Sequence, residues 1–197
     1  MIEYISGKID SLTPTVAIIE TSGIGYEINI TLIDYDILNN NSSKENPVRL
    51  YIHESIREDA RVLFGFISKN TRELFRLLIG VSGVGPNTAR LILSSLRDEI
   101  LENAISTGNE APLKAVKGIG AKTAQRIIVD LKDKIKASSN SLEFSMPTVG
   151  EAYQDSISAL QMLGFTNQQS QKTLAKIFKE NPTLSAEQAI KLALKML

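Results

Sequence analysis

The sequence predicts an α+β chain of several small domains: a five-stranded barrel, an all-α domain built on a repeated helix–turn–helix unit, and a three-helix bundle. Three observations carry this. Five short apolar runs separated by turn signals fill roughly the first 66 of 197 residues. A stretch around Gly83 recurs at a constant offset of 35 residues. After a polar, small-residue stretch, three amphipathic patterns with helix caps complete the chain. The segments so defined are a barrel over 1–66, a helical domain over 67–136, a linker over 137–150 and a bundle over 151–197.

Composition narrows the chemistry. Hydrophobic residues make up 43%, as in ordinary globular proteins. The chain has no cysteine, which excludes a disulfide framework, a thiol nucleophile and a cysteine-based zinc site. One histidine, His53, cannot build a His-rich metal centre, and nothing calls for a cofactor. No basic-then-apolar leader and no membrane-length apolar run occur, so a soluble cytoplasmic protein with no membrane partner is the expectation. Lys and Arg balance Asp and Glu at 22 each, yet the charge is polarised. From Ala111 to Lys136 there are seven bases (Lys114, Lys117, Lys122, Arg126, Lys132, Lys134, Lys136) against two acids (Asp130, Asp133), a surplus of five.

The barrel strands read in order. Ile2, Tyr4 and Ile5 begin the first, with Gly7 as a bend. Val16 to Ile19 form the second, and Ser22-Gly23-Ile24-Gly25 turns into the third, where Tyr26, Ile28 and Ile30 alternate with Glu27 and Asn29. A polar loop follows over 39–47, then strands over Val48–Ile56 and Val62–Ile67. Five strands in about 65 residues fit the oligonucleotide-binding (OB) fold best. Between the last two lies Arg57-Glu58-Asp59-Ala60-Arg61. Such a stretch is most often just a polar hairpin tip. Against a nucleic acid its carboxylates would repel phosphates and hold strands apart.

The repeat pairs Val81-Ser82-Gly83-Val84-Gly85-Pro86-Asn87-Thr88-Ala89 with Val116-Lys117-Gly118-Ile119-Gly120-Ala121-Lys122-Thr123-Ala124. Ile92 then matches Ile127, and Leu96 matches Leu131. Leu74, Leu77 and Leu78 precede the first copy at helical spacing, and Ala124, Ile127, Ile128, Leu131 and Ile135 follow the second. Each copy therefore reads helix, apolar-Gly-apolar-Gly turn, helix. The glycines allow a tight backbone and leave room for an approaching group. Val84 and Ile119 are free to point back into the helices. The helix that begins next offers unpaired N–H groups and the positive end of its dipole to a phosphate. Lys122, and more distantly Lys117 and Arg126, add charge. A dinucleotide fingerprint needs a third glycine where Thr88 and Thr123 stand, and a P-loop needs Gly-Lys-Ser/Thr where Ala121 follows Gly120. The repeated unit resembles the helix-hairpin-helix motif, and a tandem pair would grip both strands of a duplex across the minor groove without reading bases.

After Lys136, Ala137 to Gly150 is polar and aperiodic and reads as a flexible linker. Helical patterns follow over Ala152–Leu163, from Asn167 as cap through Leu174, Ile177 and Phe178, and over Ala186–Leu197 behind a Ser185/Gln188 capping box. Gly164 ends the first of these. Leu163-Gly164-Phe165 is the turn of ubiquitin-associated (UBA)-like bundles. Leu163 and Phe165 are therefore either core residues or a contact patch, and the lack of a charge cluster favours a protein-binding module over a second DNA-binding one.

The order of parts resembles the bacterial RuvA family, the DNA-binding subunit of the Holliday-junction branch-migration complex. The most specific pieces are Arg57-Glu58-Asp59 with Leu63-Phe64-Gly65-Phe66, Gly83-Val84-Gly85-Pro86, Gly118-Ile119-Gly120 with Lys122-Thr123-Ala124, and Leu163-Gly164-Phe165. The resemblance spans essentially the whole chain. It implies a homotetramer, or an octamer of two such rings, with four-way junction DNA on one face. It also implies a grip through both hairpins (Gly83, Val84, Gly85, Asn87, Arg90; Lys117, Gly118, Ile119, Gly120, Lys122, Thr123, Arg126) and acidic pins from Glu58 and Asp59. A RuvB-type AAA+ motor would bind Leu160, Leu163, Gly164 and Phe165. A RuvC-type resolvase is a further implied partner. Family members often carry Lys where this chain has Asn87 and Ala121, which shifts weight onto Lys117, Lys122, Arg126 and Arg90. Two rival readings stay open on the residues alone: a helix-hairpin-helix repair enzyme, and a protein-interaction adaptor whose hairpins are structural.

Overall fold

Alternating apolar residues build the first element set. The structure, a computed structural model, describes residues 1–41, 46–139, 149–182 and 184–197. Strands β1 (Tyr4–Leu12), β2 (Val16–Thr21), β3 (Ile24–Asn29), β4 (Val48–Ile56) and β5 (Arg61–Phe66) close a barrel in the order β1-β2-β3-β5-β4. Neighbours run antiparallel except β3 and β5, which meet in parallel over Ile28↔Leu63 and Asn29↔Phe64. Ile5, Ala17, Ile19, Ile28, Leu50 and Ile52 fill the interior. The fold is thus the expected OB-like barrel, followed by helices.

At Gly7 the first strand changes partners, pairing with β4 up to Gly7 and with β2 from Lys8 onward, and its register irregularity lies further on, between Ile9 and Ser11. A Cβ on Gly7 would collide with the Glu20 carbonyl of β2, so the glycine is there because two backbones approach closely. At the β2–β3 turn, Ser22 and Gly23 both take positive φ, at 52° and 80°.

The expected loop over 39–47 is partly helical. Helix α1 (Leu32–Asn41) fills the crossover from β3 to β4, while residues 42–45 lie outside the described residues. Its apolar residues do not form one stripe: Leu38 is buried, whereas Leu32 and Ile37 are exposed. Its start is fixed by Thr31, whose hydroxyl accepts from the Asp34 amide at 3.0 Å and donates to the Asp34 carboxylate at 2.7 Å. The other Asp34 oxygen accepts from the Ile67 amide at 3.2 Å, tying α1 to the exit of the barrel.

Helices α2 (Lys69–Ile79), α3 (Pro86–Ser95), α4 (Asp98–Thr107), α5 (Ala111–Ala115) and α6 (Ala121–Ser139) follow. Their core is continuous with the barrel wall: Phe64 and Phe66 of β5 stack on Phe75 of α2, with ring centroids 5.1 and 5.0 Å apart. The change at residue 66 is one of element type, and packing runs across it. Arg72 of α2 is buried against β1, donating to the Glu3 carbonyl at 3.0 Å and pairing with Glu3 and Glu73 carboxylates at 2.7 and 2.8 Å.

The stretch expected as linker over 137–150 is shorter at both ends. Residues 137–139 continue α6, because no Gly or Pro stops that helix, and Val149 and Gly150 already belong to α7. Residues 140–148 lie outside the described residues. Contacts divide the chain into two compact units, Met1–Asn140 and Ser141–Leu197. The second packs α7 (Val149–Met162), α8 (Asn167–Glu180) and α9 (Ala186–Ala193) around Leu160, Leu174, Ile177, Ala189 and Ala193. The cap of α8 is Thr166 with Gln169, one residue before the expected Asn167, and Ser185 with Gln188 caps α9 as expected. α9 ends at Ala193, and looser turns follow through Leu197 in place of the longer expected helix.

Burial pushes the Asp34 carboxyl above its ordinary value of 3.8, against the pull of its hydrogen bonds. An unfolded chain ionises this group at the ordinary value, while the folded chain resists. Stability is therefore lost as pH rises from 3.8 to the folded value, and is flat beyond it. Asp34→Asn removes that loss. Urea denaturation should show the variant gaining on the parent as pH rises through this window; a pH-independent difference would contradict the assignment.

Candidate nucleic-acid interface

The two turns of the repeat have the same geometry, residue for residue. Gly83 and Gly118 both take φ +88°, a region open to glycine and costly for other residues. The Val84 amide donates to the Val81 carbonyl at 3.0 Å, and the Ile119 amide to the Val116 carbonyl at 3.0 Å. Val84 and Ile119 are 4% and 5% exposed, so each plugs its own hairpin from the tip. The helices then begin alike, Ala89 donating to Gly85 at 2.9 Å and Ala124 to Gly120 at 3.0 Å. Burial repeats too: Ala89 with Ala124 and Ile92 with Ile127 are fully buried. The two copies differ in the helix that precedes the turn, eleven residues in α2 but five in α5.

With the apolar residue turned inward, the backbone faces outward. A Cβ built on Gly85, Gly118 or Gly120 meets nothing within 4 Å, and one on Gly83 meets only the Arg126 Nη1 atom at 4.0 Å. α3 starts at Pro86 behind Gly85 with no side chain capping it. Its first amide donors are therefore left to an external acceptor, the arrangement that receives phosphate. Lys117, Lys122 and Asn87 are exposed around these turns, and Thr123 is half-buried.

Arg126 joins the copies. From α6, its Nη1 atom donates to the Ser82 carbonyl at 3.1 Å and to the Ser82 hydroxyl at 3.2 Å, in the turn of the first hairpin. Arg90 departs from the expectation. Its Nη1 atom is spent on the barrel, donating to the Thr15 carbonyl at 3.2 Å and the Asn29 Oδ1 atom at 3.0 Å. Nothing in the sequence marked Asn29, since an asparagine between Ile28 and Ile30 reads as an ordinary outward strand residue.

The acidic tip is a closed turn. The Arg57 amide donates to the Ala60 carbonyl at 2.8 Å, and Glu58 and Asp59 are exposed at its end. An ion pair between Glu54 and Arg61 spans β4 and β5 at its base. A groove of about 160 Å³ between Ser55, Arg57, Ala60 and Val62 on one side and Pro86 and Asn87 on the other sets that base beside the first hairpin.

In the second unit, Gly164 takes φ +97° and turns the chain after α7. Met162 and Leu163 are 89% and 59% exposed, and Phe165 is half-buried. Leu160 is fully buried, which corrects its expected place in a contact patch: it supports the turn from within the core. Met162 joins Leu163 as an exposed apolar residue, and its apolar character was its only signal. Among the described residues, no group of three or more His, Cys, Asp or Glu side chains could hold a metal ion.

Comparison with known proteins covers the whole chain. Residues 1–65 match the RuvA N-terminal domain, 75–133 the SAM-like helix-hairpin-helix tandem, and 151–197 the RuvA C-terminal domain. Full-length relatives named Holliday junction branch migration complex subunit RuvA include those of Parabacteroides distasonis (52% identical over 200 residues), Bacteroides fragilis (51% over 205) and Flavobacterium psychrophilum (39% over 197), with all of both chains covered in each case.

Gly120→Leu separates grip from folding. The open space at Gly120 should leave thermal stability within a few degrees of the parent, while DNA affinity measured by fluorescence anisotropy falls at least about tenfold, the equivalent of one lost charge-assisted contact. Unchanged affinity in a folded variant would return the hairpins to a structural role.

Proposed function

The chain belongs to the RuvA family, and from that premise we propose that it holds four-way junction DNA by backbone contacts while a separate motor moves the strands. It is a DNA-binding subunit of a branch-migration complex and not an enzyme. The observation that carries the reading is the matched pair of turns, with Gly83 and Gly118 at one φ and Val84 and Ile119 buried alike. Two copies of one turn suit the two backbones of a duplex, which are themselves related by local two-fold axes. Backbone amides and helix ends carry no base code, so the grip survives as the junction moves.

The remaining parts take roles around that grip. Lys117 and Lys122 add charge beside the second turn, and Arg126 holds the two turns at a set spacing. Glu58 and Asp59, brought together at the centre of a homotetramer, repel phosphates at the crossover and steer strands from one arm into the next. Too strong a grip there would stall migration, and the carboxylates offset it. Family membership implies interaction with four-way junction DNA and with RuvB- and RuvC-type proteins. The finer assignment is that Leu163, Met162 and Phe165 in the second unit meet a RuvB-type AAA+ motor. No described helix is long and apolar enough to cross a membrane.

Binding to synthetic four-way and linear DNA of matched composition tests this reading. Four-way DNA should be preferred whatever its arm sequences, and log affinity should fall linearly with log salt, each neutralised phosphate adding ~0.9 to the slope. Equal affinity for linear and four-way DNA would refute it. Replacing Glu58→Gln and Asp59→Asn together should leave junction binding equal or tighter while changing motor-driven migration, and a large loss of binding would contradict the repulsive role.

A further inference from the structure

Arg90 lies five residues past Gly85 and four past Pro86, about 6 Å along α3 from the start of the first hairpin's helix. Its Nη1 atom donates to the Asn29 Oδ1 atom at 3.0 Å and to the Thr15 carbonyl at 3.2 Å. The Asn29 Nδ2 atom donates onward to the Leu63 carbonyl at 3.3 Å. Leu63 belongs to β5, the strand that leaves the acidic tip, four residues after Asp59. These bonds sit on the short parallel seam between β3 and β5, where only Ile28↔Leu63 and Asn29↔Phe64 pair. A second link runs alongside: the Ser94 hydroxyl donates to the Arg90 carbonyl at 2.8 Å and accepts from the Leu32 amide at 3.1 Å.

We infer that Arg90 and Asn29 are positioning residues, a strut from the first hairpin's helix through the barrel seam to the strand that carries the acidic tip. This rests on the reading of the hairpins as the grip and the tip as the pin. The strut fixes where the carboxylates of Glu58 and Asp59 stand relative to the duplex held at Gly83–Gly85. The chemistry fits a brace better than a phosphate ligand. Both acceptors of Arg90 are neutral, and one amide side chain serves as acceptor and donor at once, a geometry that neither a carboxylate nor an apolar residue reproduces. Burial alone lowers the Arg90 guanidinium from its ordinary value, as for a group drawn toward the protein and away from solvent. Pro86 and Asn87, which line the groove against Ser55, Arg57, Ala60 and Val62, support the same alignment at the base of the tip.

The test uses the full-length protein at saturating concentration on a four-way junction with 2-aminopurine at the crossover, whose fluorescence rises on unpairing. Asn29→Ala removes both side-chain bonds. It should bind four-way and linear DNA within about twofold of the parent, yet lose at least half of the crossover signal. Asn29→Asp keeps an acceptor for Arg90 and should recover part of the signal, which a general loss of stability would not allow. Arg90→Gln, on the helix side of the strut, should behave like Asn29→Ala and stands in for it if that variant fails to fold. An unchanged crossover signal in both variants overturns the inference. So does a tenfold or greater loss of affinity with normal unpairing in the bound state, which would make Arg90 a DNA contact. If the parent itself neither prefers four-way DNA nor unpairs the crossover, the proposed function fails, and that outcome is seen without any variant.

Discussion

The left-handed backbone at Gly83 and Gly118 is the constraint on which the DNA-gripping half of this protein depends. A φ of +88° reverses the chain in one residue, which sends Val84 and Ile119 into the core and leaves the following amides outward. Any other residue there would be strained, and a relaxed backbone would turn the apolar plug out and the amides in. Burial of the plug and exposure of the donors are therefore one event. Doubling that event gives two turns of one geometry, and direct Arg126–Ser82 bonds link α6 to the first of them.

The barrel matters because it is fused to this grip. Phe64 and Phe66 at the end of β5 pack on Phe75 of α2, and the same core continues through Val84 to Ile119 and Ile128. The strand that brings the chain down from Glu58 and Asp59 thus ends inside the core of the hairpin domain. Close-packed interiors transmit displacement, so the lower end of β5 is held to the hairpin domain by direct packing. The buried Arg72, bonded to Glu3 and Glu73, ties the residue that leads into β1 to the same helix.

Local periodicity and repetition were legible in the sequence, and long-range economy was not. The offset of 35 residues exposed the twin turns because identical local geometry needs identical residues. β4 and the Ser185/Gln188 cap were equally plain, since alternation and capping are nearest-neighbour effects. α1 escaped because its apolar residues form no single stripe, although Thr31 and Asp34 at cap spacing were a usable signal. The close approach of Gly7 to the Glu20 carbonyl was not legible, because that carbonyl lies on another strand. Leu160 was misplaced because its packing partners lie on other helices, and the Arg90–Asn29 bond was out of reach of the sequence for the same reason. An apolar residue beside an exposed turn and a cation beside a phosphate site each suggested a contact, yet tertiary packing turned one into the bundle core and the other onto Asn29.

The central claim is that two equivalent hairpins hold the two backbones of each arm with no regard to sequence. Hydroxyl-radical footprinting of a four-way junction bound by the full-length protein tests it most directly. The account predicts protection on both strands of every arm, staggered across the minor groove, with the pattern unchanged when the arm sequences are permuted. Protection of one strand only, or a pattern that follows the sequence, would contradict it.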